Sequence, residues 1–241
     1  MMRAVSGNRP PASRFIYESP ETTAATDVPP ELSGATADTR PPITMSEIDY
    51  DAQVREAFPE LEQIDDDDLR NRVVEAWTLG LRRGGWQRIE DVPYAWNIHE
   101  VTNVEHVRGV TRIALESARE QREFHGATPD VDTIVAACLL HDVGKCYEYT
   151  DHVEDDVLVD PDPRYATEEI PHSISGYALA HEVGCPLAVQ RAIPHFFGEI
   201  PTRTLEAELV KSANSASSNA ITEAAMGITL QEWVEEYSQT S

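Results

Sequence analysis

Apolar residues recur at helical spacing along most of the chain after residue 45. One series predicts a helix that ends at Gly84-Gly85, with a core-facing side formed by Leu69, Val73, Val74, Trp77 and Leu81. A second series predicts a helix over 103–121, with an apolar stripe formed by Val104, Val107, Val110, Ile113 and Ala114. The apolar run that starts at Val135 predicts a third, buried helix over 131–141.

Shorter patterns complete the helical prediction. They indicate helices at 46–58, 172–181, 185–193, 205–220 and 230–237, with loops at 86–98 and in the acidic, proline-rich segment 150–170. The acidic run 65–68 is predicted to start a helix, because carboxylates interact favourably with a helix N-terminus. The sequence contains no strand alternation, no repeat and no glycine-rich phosphate loop. The pattern therefore predicts an all-α fold.

The N-terminal 44 residues differ from the rest of the chain. They lack any helical or strand period and are interrupted by prolines among Ala, Thr, Ser and Gly, so we expect a disordered tail. Met45 offers an alternative start, which would make the tail an over-extended reading of the gene. We expect the helices of 45–98 to pack on the core of a helical domain over 99–241.

The net charge and the composition of the chain argue against several kinds of partner and location. The net charge of -24 repels phosphates, which argues against nucleic acids and anionic membranes as partners. No stretch is long and apolar enough to span a membrane, and no secretory signal is evident, so the expected location is cytoplasmic. An acidic chain whose only lysines are Lys145 and Lys211 resembles proteins of salt-loving archaea, so we expect a halophilic origin.

The segment V-A-A-C-L-L-H-D-V-G-K, residues 135–145, carries the clearest chemical signal. It places His141 beside Asp142, and an imidazole with a carboxylate suits divalent ions such as Zn, Fe or Mn. Adjacent residues on a helix point about 100° apart, so the pair reaches one ion only from a helix edge or end. The alternative is structural: His141 caps a buried helix and Asp142 starts a turn. Lys145 follows Asp142 by three residues.

The order of further residues favours the metal-binding interpretation. His106 precedes the pair, His172 and His195 follow it, and a small polar helix is predicted at 212–217. This arrangement, over roughly residues 99–220, resembles the HD superfamily of metal-dependent phosphohydrolases, which are helical bundles. The resemblance implies one or two divalent transition metals (Mn, Fe, Ni, Co or Zn).

The resemblance also implies individual roles. His106, His141 and Asp142 would hold a first metal, and Asp142 would bridge to a second metal held by His172 and His195. Lys145 would neutralise charge on a phosphate or a metal-bound intermediate. Arg203 would form a forked contact with a phosphate or carboxylate, so Lys145 and Arg203 are the predicted catalytic residues.

One position departs from the family pattern. The stretch V-K-S-A-N-S-A places Asn214 where HD proteins usually have the last Asp ligand. An amide oxygen is a neutral and weaker ligand, and three interpretations stay open. The site is active with Asn214 or water as a ligand, Glu206 or Glu208 substitutes for the missing acid, or the domain binds a ligand without hydrolysing it.

The sequence therefore predicts a metal-dependent hydrolase of the HD type that acts on a small phosphate ester or similar small substrate through metal-activated water. Two alternatives belong to other classes: an HD-fold di-iron oxygenase, and a non-catalytic HD ligand-binding domain. A homodimer is left open, because helical HD domains often pair.

Overall fold

Helices make up most of the chain that the computed structural model describes, which is residues 48–95, 98–148, 153–154, 157–158, 171–193, 204–229 and 231–232. The α-helices are, in order, α1 (Tyr50–Ala57), α2 (Asp67–Arg83), α3 (Asn103–His125), α4 (Val131–Leu140), α5 (Lys145–Glu148), α6 (His172–Glu182), α7 (Leu187–Ala192) and α8 (Leu205–Met226). Two antiparallel hairpins pair β1 (Pro93–Ala95) with β2 (Ile98–Thr102) and β3 (Val153–Glu154) with β4 (Val157–Leu158). Short 3₁₀ helices cover Pro59–Gln63 and Ile89–Asp91. The predicted all-α fold is confirmed.

Local side-chain caps fix where the long helices begin. The Asp66 carboxylate accepts hydrogen bonds from the backbone N–H groups of Asp68 and Leu69 at the start of α2, as the acidic run predicts. At the start of α3, Thr102 and Glu105 form a capping box, in which each side chain accepts from the other residue's backbone N–H. Thr204 caps α8 in the simpler way. These caps satisfy backbone donors that the first turn of a helix leaves unpaired.

Helix α4 is the centre of the core. Its residues from Thr133 to Leu140 are all buried, because the helix is apolar around its whole circumference. It packs against α2, α3, α7 and α8, and the Trp77 indole on α2 donates a 2.8 Å hydrogen bond to the Leu139 carbonyl oxygen. The central position of α4 means that its C-terminal end delivers His141 into the interior of the bundle.

The segment before α3 shares one hydrophobic cluster with the later helices. The predicted face of α2 is buried within it. An ion-pair network adds to this packing: the buried Glu60 carboxylate lies 3.1 Å from the Arg108 Nε and 3.0 Å from the Arg112 Nε on α3. The first 3₁₀ helix is thereby attached to the helix that carries His106.

Three details differ from the sequence-based expectation. Segment 86–98, predicted to be a loop, contains the second 3₁₀ helix and strand β1, which is too short to show an alternating pattern. The loop prediction for 150–170 missed the hairpin of β3 and β4 for the same reason. Helices α3 and α8 continue to His125 and Met226, beyond their apolar stripes. Each is ended by a glycine in the left-handed conformation, Gly126 (φ 66°) and Gly227 (φ 70°).

Some expectations lie partly or wholly outside the described residues. These are the tail over 1–44, whose predicted disorder is untested, and the helix over 230–237, of which only 231–232 are described. None of the described helices combines the length and hydrophobicity needed to cross a bilayer. The cytoplasmic location and halophilic origin stay predictions.

The three cysteines generate the first test. The side chains of Cys138, Cys146 and Cys185 are all buried, and none forms a disulfide. Burial raises the pKa of Cys138 and Cys146 well above the usual range of a thiol, and it raises the pKa of Cys185 to about 11. Since the thiolate is the reactive form, we expect a thiol-reactive dye at pH 8 to label the native chain far more slowly than the chain in denaturant. Labelling at equal rates would contradict the packing around α4.

Candidate metal centre

Three buried side chains converge where α4 ends. His106 lies on the first turn of α3, His141 is the C-cap residue of α4, and Asp142 follows in the turn. The Nε2 atoms of the two histidines are 3.2 Å apart, and each is 3.5 Å from the Asp142 Oδ2. The three residues expose between 2% and 4% of their surface, so they face each other and not solvent.

Hydrogen bonds orient the two imidazole rings. The His141 Nδ1 lies 2.7 Å from the Cys138 carbonyl oxygen, which can only accept, so Nδ1 carries the proton and Nε2 offers its lone pair to the centre. The His106 Nδ1 lies 3.1 Å from the Ser217 hydroxyl on α8, which can accept in the same way. An outer partner that fixes the ring and its tautomer is the usual arrangement for a metal-binding histidine.

Burial also favours the neutral form of both rings. It lowers the pKa of His106 to about 3, against the opposing effect of the Asp142 charge. Burial likewise lowers the pKa of His141, again opposed by Asp142. Both imidazoles are therefore neutral at physiological pH, which is the state that binds a metal ion.

Asp142 is the charged member of the group. Burial alone would raise the pKa of its carboxyl, but the electrostatic effect of His141 and of Lys145, whose Nζ lies 3.0 Å from Oδ2, lowers the pKa below its usual range. Its two oxygens face different neighbours. Oδ2 faces His106 and His141, whereas Oδ1 lies 3.3 Å from the Nε2 of His172, the first residue of α6.

The three convergent atoms fit a metal ion. Two ligands of a tetrahedral zinc, each about 2.0–2.2 Å from the ion, are about 3.3–3.6 Å apart. The separations of 3.2 and 3.5 Å are close to that range, and the group is the one set of three such side chains within 4.8 Å of one another among the described residues. The Asp142 Oδ2 is buried and accepts no hydrogen bond, so a cation would supply the missing partner.

The Lys145 ammonium is held from two further sides. Its Nζ donates to the carbonyl oxygen of Tyr94, the middle residue of β1, and it lies 4.5 Å from the centroid of the Tyr94 ring. The same ring contacts the imidazole of His106, with 4.5 Å between centroids. Strand β1, which the sequence did not predict, therefore closes one side of the centre.

Comparison with known proteins agrees with this geometry. The family model described as HD domain matches residues 103–219. Residues 103–219, just under half of the chain, are therefore similar to the HD-domain family. The match begins three residues before His106 and includes α3 to α7 and most of α8.

The chain also has a curated relative. The chain is 31% identical over 169 residues to dihydroneopterin 2′,3′-cyclic phosphate phosphodiesterase of Methanocaldococcus jannaschii. The alignment covers 65% of this chain and 66% of the relative, so just under two thirds of the relative's length is spanned. No solved structure matches the chain.

The fold brings most of the predicted site residues together. His106, His141, Asp142, Lys145 and His172 form one connected group. Asn214 is buried on α8, where its Oδ1 accepts a 3.2 Å hydrogen bond from Ser218, and its side chain also hydrogen-bonds to His106. Two predicted residues, His195 and Arg203, lie outside the described residues, and their roles stay predictions.

Neither proposed substitute for the missing acid lies at the centre. Glu206 accepts a hydrogen bond from the backbone N–H of Asp130, just before α4 begins. Ten residues of α4 separate that end from His141, which corresponds to about 15 Å along the helix axis. Glu208 is exposed, whereas Asn214 is buried. Asn214 therefore occupies its position without a compensating carboxylate from these two residues.

Sequence reasoning missed several residues that orient the site. They include Ser217 beside His106, Tyr94 beside Lys145, and Glu148, whose Oε2 lies 2.6 Å from the His172 Nδ1. Ser217 follows Asn214 by three residues, and Glu148 follows Lys145 by three, so helical spacing from a known site residue was an available signal. No comparable spacing points to Tyr94.

The close approach of α6 to the H-D turn gives a second prediction. A Cβ atom on Gly144 would lie 1.9 Å from the His172 carbonyl oxygen and 2.7 Å from the Gly176 backbone nitrogen. We expect Gly144→Ala to lower the free energy of unfolding by roughly 1–3 kcal/mol, because both obstructing groups are backbone. Urea denaturation measures this value.

Gly109→Ala is the matched control. Its added Cβ would meet nothing closer than the Ser217 Oγ at 3.6 Å, and alanine is favoured over glycine inside a helix by about 1 kcal/mol. Equal destabilisation by both substitutions would show that the contact between Gly144 and α6 is not the cause.

Proposed function

We propose that the protein is a metal-dependent phosphodiesterase that hydrolyses a small phosphate ester. The observation that carries the proposal is the convergence of the His106 Nε2, the His141 Nε2 and the Asp142 Oδ2 at 3.2–3.5 Å inside an HD domain. Two neutral imidazoles and one ionised carboxylate form a donor set for a divalent transition metal. The metal identity and the number of ions belong to the proposal.

We assign one ion to each of the two carboxylate oxygens of Asp142. The first ion would be held by His106, His141 and the Asp142 Oδ2, with Asn214 as a weaker fourth ligand. The second ion would be held by the Asp142 Oδ1 and His172, with His195 as the further predicted ligand. When bound, such ions supply an activated water and stabilise negative charge that develops at phosphorus.

The chain's own residues would contribute positive charge close to the reacting phosphate, on side chains that are already held in place. Hydrolysis of a phosphodiester adds the oxygen of water to phosphorus, breaks one P–O bond and passes a proton to the departing alcohol. The reacting phosphate carries negative charge throughout. Lys145 is buried beside Asp142 and keeps its position through the Tyr94 carbonyl, so it can stabilise that charge without first being ordered. Arg203 would provide a forked phosphate contact.

The relative supports a particular substrate class. It is named for hydrolysis of a 2′,3′-cyclic phosphate on dihydroneopterin, which is a small cyclic phosphodiester. We therefore propose a cyclic phosphodiester of a small organic molecule as the substrate. A small monoanion also suits a chain of net charge -24, which disfavours long polyanions.

One observation supports a second candidate function, a domain that binds a ligand without hydrolysis. The neutral Asn214 takes the place of a carboxylate, which would loosen the first ion. Nothing among the described residues favours the di-iron oxygenase over the hydrolase.

The activity prediction uses substitution of one histidine. We expect the chain, supplied with Mn²⁺, Fe²⁺, Co²⁺, Ni²⁺ or Zn²⁺, to hydrolyse bis(p-nitrophenyl) phosphate and a 2′,3′-cyclic nucleotide, and to lose activity in chelator. His141→Ala should lower kcat/KM by at least about 10²-fold, since it removes stabilisation of charge in the transition state. His125→Ala is the control, because His125 is exposed and its Nδ1 lies 2.8 Å from the Gln121 side-chain oxygen, four residues earlier on the same helix.

The outcomes separate the functions. Full metal-dependent activity in His141→Ala would contradict the assigned centre. Tight metal binding without turnover of any ester would favour the binding domain. Oxygen consumption with iron and an organic substrate would favour the oxygenase.

Asn214 gives a further prediction. Asn214→Asp keeps an oxygen that can accept from Ser218 and adds one negative charge beside His106. We expect the first ion to bind about fivefold more tightly or better, because a unit of opposite charge at contact distance contributes at least about 1 kcal/mol. Calorimetric titration of the metal-free chain measures this change. Unchanged affinity would show that position 214 does not face the ion, and activity found in this variant alone would identify the natural chain as a binding domain.

A further inference from the structure

His172 lies between two carboxylates. Its Nε2 is 3.3 Å from the Asp142 Oδ1, and its Nδ1 is 2.6 Å from the Glu148 Oε2. Asp142, Lys145 and Glu148 follow one another at intervals of three residues through the turn and α5, which places them on one side of that segment. The ring of His172 therefore has one nitrogen directed at the metal centre and the other at a separate acid.

The contact does not resemble a surface ion pair. The Glu148 Oε2 is buried and makes no hydrogen bond of good geometry among the described residues, and the His172 Nδ1, at 2.6 Å, is its ion-pair neighbour. The Glu148 side chain is 24% exposed and that of His172 is 17% exposed. By comparison, Glu182 pairs with Arg83 at the other end of α6, where both side chains are about half exposed.

The acceptor opposite each histidine has a different chemical nature. His141 is opposed by a carbonyl oxygen and His106 by a hydroxyl, whereas His172 is opposed by a carboxylate. A histidine binds a metal through the nitrogen that lacks a proton, so its other nitrogen needs an acceptor. A carboxylate accepts only, and it increases the electron density of the ring more than a neutral group does.

The backbone keeps Glu148 and His172 together. Helix α5 packs against the start of α6, and Gly144 allows this approach because any side chain there would overlap the His172 carbonyl. The pairing is therefore set by helix packing and not by a chance rotamer at the surface.

We propose that Glu148 is a positioning residue for His172. Its carboxylate attracts the N–H group at Nδ1 and so holds the ring with the Nε2 directed at the second ion. This inference rests on the proposed two-ion function. It assigns to Glu148 an effect on the second ion alone, because the first ion's histidines have their own acceptors.

The test is a Co²⁺ titration of the full, metal-free chain, followed by absorption spectroscopy and by elemental analysis of ions per chain. Glu148→Ala should raise the Kd of the second ion about 10- to 100-fold and leave that of the first within about threefold. Glu148→Gln should have a smaller effect, because its amide oxygen still accepts from the Nδ1. Glu123→Ala removes an equal charge from an exposed position on α3 and should change neither Kd.

A double variant distinguishes positioning from a general structural effect. In a His172→Ala background, where the ring is absent, Glu148→Ala should change the second Kd by less than about twofold. An equal loss in both backgrounds would overturn the inference, because Glu148 would then act without His172. Thermal unfolding of each variant checks that the chain stays folded, and Glu148→Gln retains the size of the side chain if Glu148→Ala does not fold.

The remaining outcomes separate this inference from the proposed function. Two ions in the wild-type chain with an unchanged second Kd in Glu148→Ala would overturn the inference and leave the proposed function intact. One ion in the wild-type chain would overturn the inference and leave a single-ion hydrolase. No bound ion, even in excess Co²⁺, would overturn both.

Discussion

The rest of the metal centre depends on a single buried charge, the carboxylate of Asp142. A carboxylate removed from water without compensation costs several kcal/mol, so its neighbours must offset that cost. Lys145 does so directly, at 3.0 Å from Oδ2, and the Tyr94 carbonyl holds the ammonium in place. Because Oδ2 still accepts no hydrogen bond, the protein alone leaves part of the carboxylate's capacity unused. A bound cation is the simplest group to complete it.

Charge within the centre explains how an acidic protein can act on an anion under the proposed function. Around the first ion, the Asp142 and Lys145 charges cancel, His106 and His141 are neutral, and α8 contributes the uncharged Asn214 and Ser217. A divalent ion bound there would therefore keep its full charge to attract a phosphate. The surface charge of the chain acts over longer distances, where salt screens it beyond about 8–10 Å. The charge of the metal centre would thus act on a bound phosphate, whereas the net charge of the chain acts on molecules that approach the surface.

Helix periodicity accounted for most of the fold. The apolar stripes of α2 and α3 and the wholly apolar α4 were evident because each spans several turns, although Ile113 of the predicted α3 stripe is exposed. The acidic run indicated the start of α2 correctly. Strands β1 to β4 were missed because two to five residues are too few to show alternation. The extensions of α3 and α8 were missed because their last turns are polar, although glycines mark both ends.

The sequence by itself determined the residue types of the site and their order: a histidine on one helix, the His141-Asp142 pair at the end of the most apolar helix, and a later histidine. Only the tertiary structure decided which atoms meet. The two oxygens of Asp142 face opposite neighbours, Ser217 and Tyr94 join the site from distant segments, and Glu148 contacts His172 across two helices. The physical reason is that local periodicity fixes the face on which a side chain lies. Which helix faces contact each other depends on how whole helices pack. Residues that contact each other across as many as 111 positions of the sequence leave no local pattern in the chain.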